Sequence, residues 1–250
     1  MKNKKTYNYK IIIIVIIALI LLSFGSSCNC TDNKSGIKEV GILLWIESKH
    51  NDESIKIAVK ETLENSSIVV AQIPWSYSGS FSSEDLRWYY NLAKNHGKSI
   101  MVNIDWLKNN RSNTRGEWSF TEGKTRKKFV HDVKSLVKRY NIDYLTLGVE
   151  VNYYALISPE GYSFFIKTYN NIKQQLKESN QKLKIGLSFQ LELLYGLHKN
   201  WEQKKTLSTL NAIVENIDYL GVSTYPELYY KKKDVQFSTL DYLDRLKATY

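Results

Sequence analysis

From Lys38 onward, short β-rich runs alternate with segments of helical periodicity, and this alternation constrains the fold more than any single motif. The predicted strands are Val40 to Ile46, Ile68 to Ile73, Ser99 to Ile104, Tyr144 to Glu150, Leu183 to Phe189 and Tyr219 to Thr224. Helices are predicted near Glu53 to Glu64, Glu84 to Asn95, Gly123 to Tyr140, Pro159 to Ser179, Lys205 to Glu215 and Thr239 to Thr249. Boundary residues agree with several of these. Ser158-Pro159-Glu160 reads as an N-cap, a proline at the first helical position and an acid facing the helix dipole. Ser82 ahead of Glu84 and Asp85 gives a second start. In the third helix Phe129, Val130, Val133, Leu136, Val137 and Tyr140 fall at helical spacing on one face. The pentapeptide Asn-Ile-Asp-Tyr-Leu occurs at 141–145 and again at 216–220, each time between a helix end and a strand. Its asparagine suits a left-handed residue that closes a helix.

Strand parity then separates two faces. Thr146, Gly148 and Glu150 share one face of the fourth strand, Gly186, Ser188 and Gln190 one face of the fifth, and Gly221, Ser223 and Tyr225 one face of the sixth. Leu145, Leu147, Leu187 and Val222 occupy the opposite face. Small residues inside and aliphatic residues outside fit an α/β fold of the TIM-type (β/α) barrel, whose narrow interior takes small side chains while its outer face packs on helices. A doubly wound open sheet is the rival, but no Gly-rich phosphate loop follows the first strand. Six of the eight units of such a barrel can be placed by residue 250, so the expected barrel is incomplete and spans residues 38–250.

The segment ahead of this domain reads as an address. Lys2, Lys4, Lys5 and Lys10 precede an unbroken apolar run from Ile11 to Leu22, which as a helix spans about 18 Å, short of a hydrocarbon core of about 30 Å. That is the length of a signal-peptide apolar region. Small residues before Cys28 resemble a bacterial lipoprotein signal over 1–27, with Cys28 the lipidated residue, 28–37 a polar tether, and the outer face of a bacterial cell membrane the destination. Ordinary secretion and an uncleaved anchor are the alternatives, because Gly25 stands where a leucine is usual. The four lysines also account for part of the net charge of +10, and no basic stripe is interleaved with aromatics, so no nucleic-acid partner is expected. Two cysteines, Cys28 and Cys30, make no disulfide framework, and four scattered histidines have no metal-ligand spacing. No cofactor and no metal are expected.

In barrels of this kind the site lies at the C-terminal strand ends. Collecting those ends gives Trp45 and Glu47, Gln72 with Pro74 and Trp75, Asp105 with Trp106, Glu150 and Asn152, Gln190 and Glu192, and Tyr225-Pro226-Glu227. Aromatic faces stack on sugar C–H surfaces, and carboxylates and amides bind hydroxyls, so Trp45, Trp75, Asp105, Trp106, Asn152 and Gln190 are the predicted substrate-binding residues. The loop from Lys108 to Phe120, with Arg111, Arg115 and Trp118, is expected to form a wall of the cleft. Glu150 ends an apolar strand, where desolvation favours use as a general acid. A carboxylate held in a salt bridge is the plainer alternative.

Tyr144-Leu-Thr-Leu-Gly-Val-Glu-Val-Asn152, with Asp218-Tyr-Leu-Gly-Val-Ser-Thr-Tyr-Pro226 downstream, resembles the fourth and sixth strands of retaining glycoside hydrolases of clan A, with the endo-β-1,4-galactanase (arabinogalactan-degrading) family the nearest pattern. The resemblance implies an acid/base role for Glu150 and a hydrogen bond from Tyr225 to the nucleophile. It departs at Val149, where the family has an asparagine that binds the sugar 2-hydroxyl, and the opposite parity of Asn152 makes it no simple replacement. It departs again at the nucleophile, which the family carries on a seventh strand. Glu47, Asp105, Glu192 and Glu227 are the carboxylates that could stand in. The expected function is a glycoside hydrolase acting on a β-linked polysaccharide by a retaining mechanism, its nucleophile strand absent from the sequence given. The alternative is a non-catalytic, carbohydrate-binding lipoprotein on the same barrel.

Overall fold

The computed structural model describes residues 41–43, 53–79, 81, 83–194, 196 and 203–223. Their order is β1 (Gly41–Leu43), α1 (Glu53–Asn65), β2 (Ile68–Pro74), α2 (Ser83–Asn95), β3 (Ser99–Asp105), α3 (Gly123–Arg139), β4 (Tyr144–Thr146), α4 (Val151–Ile157), α5 (Pro159–Ser179), β5 (Lys184–Gln190), α6 (Leu191–Leu194), α7 (Gln203–Asn211) and β6 (Tyr219–Ser223). The leader, Trp45, Ser82, Tyr225 and the helix expected over 239–249 lie outside the described residues.

All neighbouring strands are parallel and the sheet order is β1-β2-β3-β4-β5-β6. An order without reversal is barrel winding; a doubly wound sheet would change direction at a switch point. Register brings Gln72 level with Asn103, Asn103 with Thr146, Thr146 with Gly186, and Gly186 with Tyr219. The parity reading therefore holds around the described sheet. Ile68, Val70, Met101, Tyr144 and Tyr219 form one apolar cluster at the N-terminal end of the inner face. Residues of the other parity, among them Val69, Val102, Leu145, Leu187 and Phe189, belong to the large cluster that includes helical side chains such as Phe129, Val133, Phe165 and Ile172.

The repeated pentapeptide has a structural explanation. Asp143 donates its backbone N–H to the Ile100 carbonyl and accepts the Ile100 N–H at 2.9 Å through its side chain. Asp218 repeats both bonds with Ile185, the second at 2.8 Å. Each aspartate thus ties the entry of its own strand to the one before it. The asparagine reading is corrected: the last helical turn of α3 closes on Tyr140 in extended conformation, and Arg111, Glu117 and Glu150 are the non-glycine residues of positive φ among the described residues.

Two other expectations change. Ser158 makes no side-chain cap bond; its backbone N–H donates to the Tyr154 carbonyl at the end of α4, while its own carbonyl accepts the Tyr162 N–H of α5. The fourth strand, expected to reach Glu150, ends at Thr146, and a short helix follows at Val151. Ladder bonds do continue briefly, from Leu147 N–H to Gly186 and from Ser188 N–H to Gly148. Gly148 is required there, because a Cβ would stand 2.5 Å from Val151 Cγ1 and 3.1 Å from the Trp106 ring.

Candidate active site

Polarity on the inner face rises toward the C-terminal strand ends. Above the apolar cluster, the single proton of the Thr146 hydroxyl goes to Asn103 Oδ1 at 2.5 Å, so Tyr219 donates its hydroxyl to Thr146 at 2.8 Å. Gly186 makes room for this tyrosine: an added Cβ would lie 2.8 Å from the Tyr219 ring and 2.4 Å from its carbonyl oxygen.

At the mouth stand two carboxylates from adjacent strands. Asp105 closes β3 and is 4% exposed in its side chain; Glu150, at the turn after β4, is 2% exposed. Arg111 reaches both of them. Its Nε donates to Glu150 Oε2 at 2.6 Å and its Nη1 to the two Asp105 oxygens at 2.7 and 3.0 Å. Ser223, the last residue of β6, donates to Glu150 Oε1 at 2.6 Å. Gln72 of β2 donates to Asp105 at 3.1 Å, and Arg115 approaches the same carboxylate at 3.4 Å. Donors from two strands and one loop therefore converge on two acids.

The loop that carries Arg111 is a small antiparallel excursion pinned by a bridge between Leu107 and Thr114, by Lys108 N–H on the Asn113 carbonyl at 2.8 Å, and by Arg115 N–H on the Trp106 carbonyl at 2.9 Å. Arg111 itself holds φ +58°, and Glu150 φ +53°. Left-handed backbone is costly for residues with a Cβ, and such residues gather at functional sites. Burial raises the Asp105 carboxyl above its ordinary value, and the two arginines offset only part of that rise. Burial draws the Arg111 guanidinium down, but Glu150 and Asp105 outweigh it and hold the group firmly charged.

Of the predicted substrate-binding residues, Asp105 and Gln190 lie on the inner face at the mouth, Gln190 in register with Ser223. Trp75 and Trp106 do not serve as sugar platforms. Both are sealed in the outer core, Trp75 donating its indole N–H to Asp132 at 2.8 Å and Trp106 donating to the Leu147 carbonyl at 3.0 Å. Trp118, expected in the cleft wall, packs edge-on against Trp75 and Phe120. Parity carries the signal that separates them: with Gln72 and Asp105 facing inward, the odd step to Ile73, Trp75, Ile104 and Trp106 points at the helices. Asn152 is also buried, and its amide clamps the backbone of Gln190, donating to the carbonyl and accepting the N–H at 2.9 Å each. It is a bracket between α4 and β5, not a ligand for sugar. Glu192, a stand-in carboxylate, is fully buried on α6. Arg111 as the partner of Glu150 and Ser223 as its second donor were not legible in the sequence. Among the described residues no set of three His, Cys, Asp or Glu side chains gathers as a metal site.

No protein-family profile matches the chain, and no curated protein matches it in sequence. Solved structures do resemble it. A psychrophilic glycoside hydrolase family 10 endo-β-1,4-xylanase aligns with a TM-score of 0.50 at 11% identity, over 79% of this chain and 65% of the xylanase. A β-glycosidase from Pyrococcus horikoshii aligns with a TM-score of 0.50 at 13% identity, over 75% of this chain and 57% of the other. A chitinase from Chromobacterium violaceum ATCC 12472 aligns at 0.47 and 11% identity, over 69% and 53%. The chain spans less than two thirds of the length of each. The likeness is one of fold: a parallel α/β sheet wound as in TIM-type barrels.

Proposed function

We propose that the chain forms part of a glycoside hydrolase that acts on a β-linked polysaccharide by a retaining mechanism, with Glu150 as its acid/base. The observation that carries this reading is the placement of Glu150, a buried carboxylate at the mouth of β4, fixed by one donor from β6 and one from the β3 loop. The barrel fold shared with solved glycosidases supports it. In the reaction Glu150 gives a proton to the departing glycosidic oxygen and later takes one from water. The second carboxylate of a retaining pair belongs about 5–5.5 Å from the first; a seventh strand is the proposed source, with Tyr225 its hydrogen-bonding neighbour. The leader and Cys28 add a lipid anchor and a location on the outer face of a bacterial membrane.

A second reading, a glycan-binding barrel without turnover, is favoured by one observation. Arg111 and Ser223 donate to the two oxygens of Glu150, one to each, so a leaving group must displace a donor to reach it. Reducing-end release by the full-length protein from xylan, mannan, galactan, cellulose and β-1,4-linked polyglucuronate and polymannuronate decides between them. Turnover of at least one supports the hydrolase, binding without turnover supports the second reading, and neither binding nor turnover overturns both.

A further inference from the structure

The charged cluster at the mouth is layered by sign. The side chains of Arg111 and Arg115 are 14% and 27% exposed, whereas those of Asp105 and Glu150 beneath them are 4% and 2% exposed. An incoming ligand meets guanidinium N–H groups before it meets carboxylate. Arg111 Nη2 and Arg115 Nη1 have no hydrogen-bond partner among the described residues.

To use Glu150, a ligand must take its oxygen from Arg111. A neutral sugar hydroxyl leaves the largely buried guanidinium short of a counter-charge, and breaking such a pair without replacement is strongly unfavourable. A sugar carboxylate replaces it in kind, because planar carboxylate oxygens match the parallel N–H groups of arginine. The left-handed backbone at both Arg111 and Glu150 marks the contact as one maintained against local preference. Resting on the glycosidase reading above, we infer that the glycan taken at this mouth contains uronic acid residues, and that a uronate carboxylate replaces Glu150 as the counter-ion of Arg111, freeing Oε2 for the glycosidic oxygen. The uronate brings one negative charge, offset by the solvent proton that Glu150 carries to the glycosidic oxygen, and Ser223 retains its hold on Glu150.

The test compares oligosaccharides of equal length that differ only at C6: β-1,4-linked glucose against β-1,4-linked glucuronate, and β-1,4-linked mannose against β-1,4-linked mannuronate. Calorimetric titration of the full-length protein is expected to give tighter binding of at least one acidic member by about tenfold or more, declining as salt is raised. In the double variant Arg111→Met with Glu150→Gln, which removes the guanidinium and its counter-charge together, the acid preference is expected to fall to about twofold or less. The salt series on the unmodified protein stands even if that variant does not fold. Equal or tighter binding of the neutral members, a preference that survives the double variant, or binding of none of the four overturns the inference. Turnover of a neutral polysaccharide with no acid preference overturns it alone and leaves the glycosidase reading intact.

Discussion

Arg111 Nε and Glu150 Oε2 meet at 2.6 Å, and both residues hold left-handed backbone to do so. The pair is nearly enclosed, so removing one partner strands a charge. Arg111→Met is expected to lower stability by about 3–5 kcal/mol. Glu150→Gln should also destabilise, because Arg111 keeps only Asp105 as counter-charge, but by less, since the amide oxygen still accepts from Arg111 and its nitrogen can donate to Ser223. The double variant should recover part of the Arg111→Met loss, with Asp105 retaining Gln72 and Arg115. Urea unfolding curves measure all three.

Two aspartates should respond to pH in opposite directions. Burial holds the Asp105 carboxyl above 3.8, so ionising it in the folded state is unfavourable and the fold loses stability as pH rises from about 3.8 through the raised folded value. Asp105→Asn lacks that loss, and its melting temperature should gain on the parent's as pH rises. Burial also opposes ionisation at Asp218, but hydrogen bonds from Lys173, Lys177 and the Ile185 N–H outweigh it and bring the carboxyl below 3.8. Its contribution is present above 3.8 and is lost as pH falls through the lowered folded value. Asp218→Asn should fall behind the parent as pH rises across the same window.

The strand-end tryptophans should report on the core and not on glycan. Trp106→Ala removes a fully buried ring hydrogen-bonded to Leu147 and is expected to cost about 3–5 kcal/mol. Trp75→Phe keeps most of the apolar volume and should cost less, with Asp132 still held by Lys128 at 2.8 Å. In whichever variants fold, glycan affinity per folded molecule should stay within about twofold of the parent, because neither ring reaches the inner face.

These residues also mark how far the sequence could be read. Strand alternation and parity were legible because a period of two is enforced at every position of a sheet buried on both sides, so Thr146, Gly186, Ser188 and Ser223 fell on the inner face as expected. Strand ends alone point to the tryptophans, whereas the same parity carried one residue further turns Trp75 and Trp106 toward the helices. Asn152 leaves the inner face because the chain turns at Glu150 and enters a helix, after which strand parity no longer applies. Arg111 had no signal of this kind: its place depends on loop hydrogen bonds and on a left-handed residue that any side chain can disguise.

The lipid anchor makes a separate prediction. Cells given an alkyne-tagged fatty acid should label the full-length protein and retain it in the membrane fraction, and Cys28→Ser should lose the label and release the protein. Labelling that survives Cys28→Ser would remove Cys28 as the modified residue.

The acid/base role of Glu150 is tested most directly by how its loss depends on the leaving group. For Glu150→Gln in the full-length protein, turnover of a polysaccharide that the parent cleaves should fall by about 10²–10⁴-fold. Release of dinitrophenolate from the matching aryl glycoside, which needs no proton, should fall far less in its first turnover. Equal losses on both substrates, or no loss on either, would contradict it.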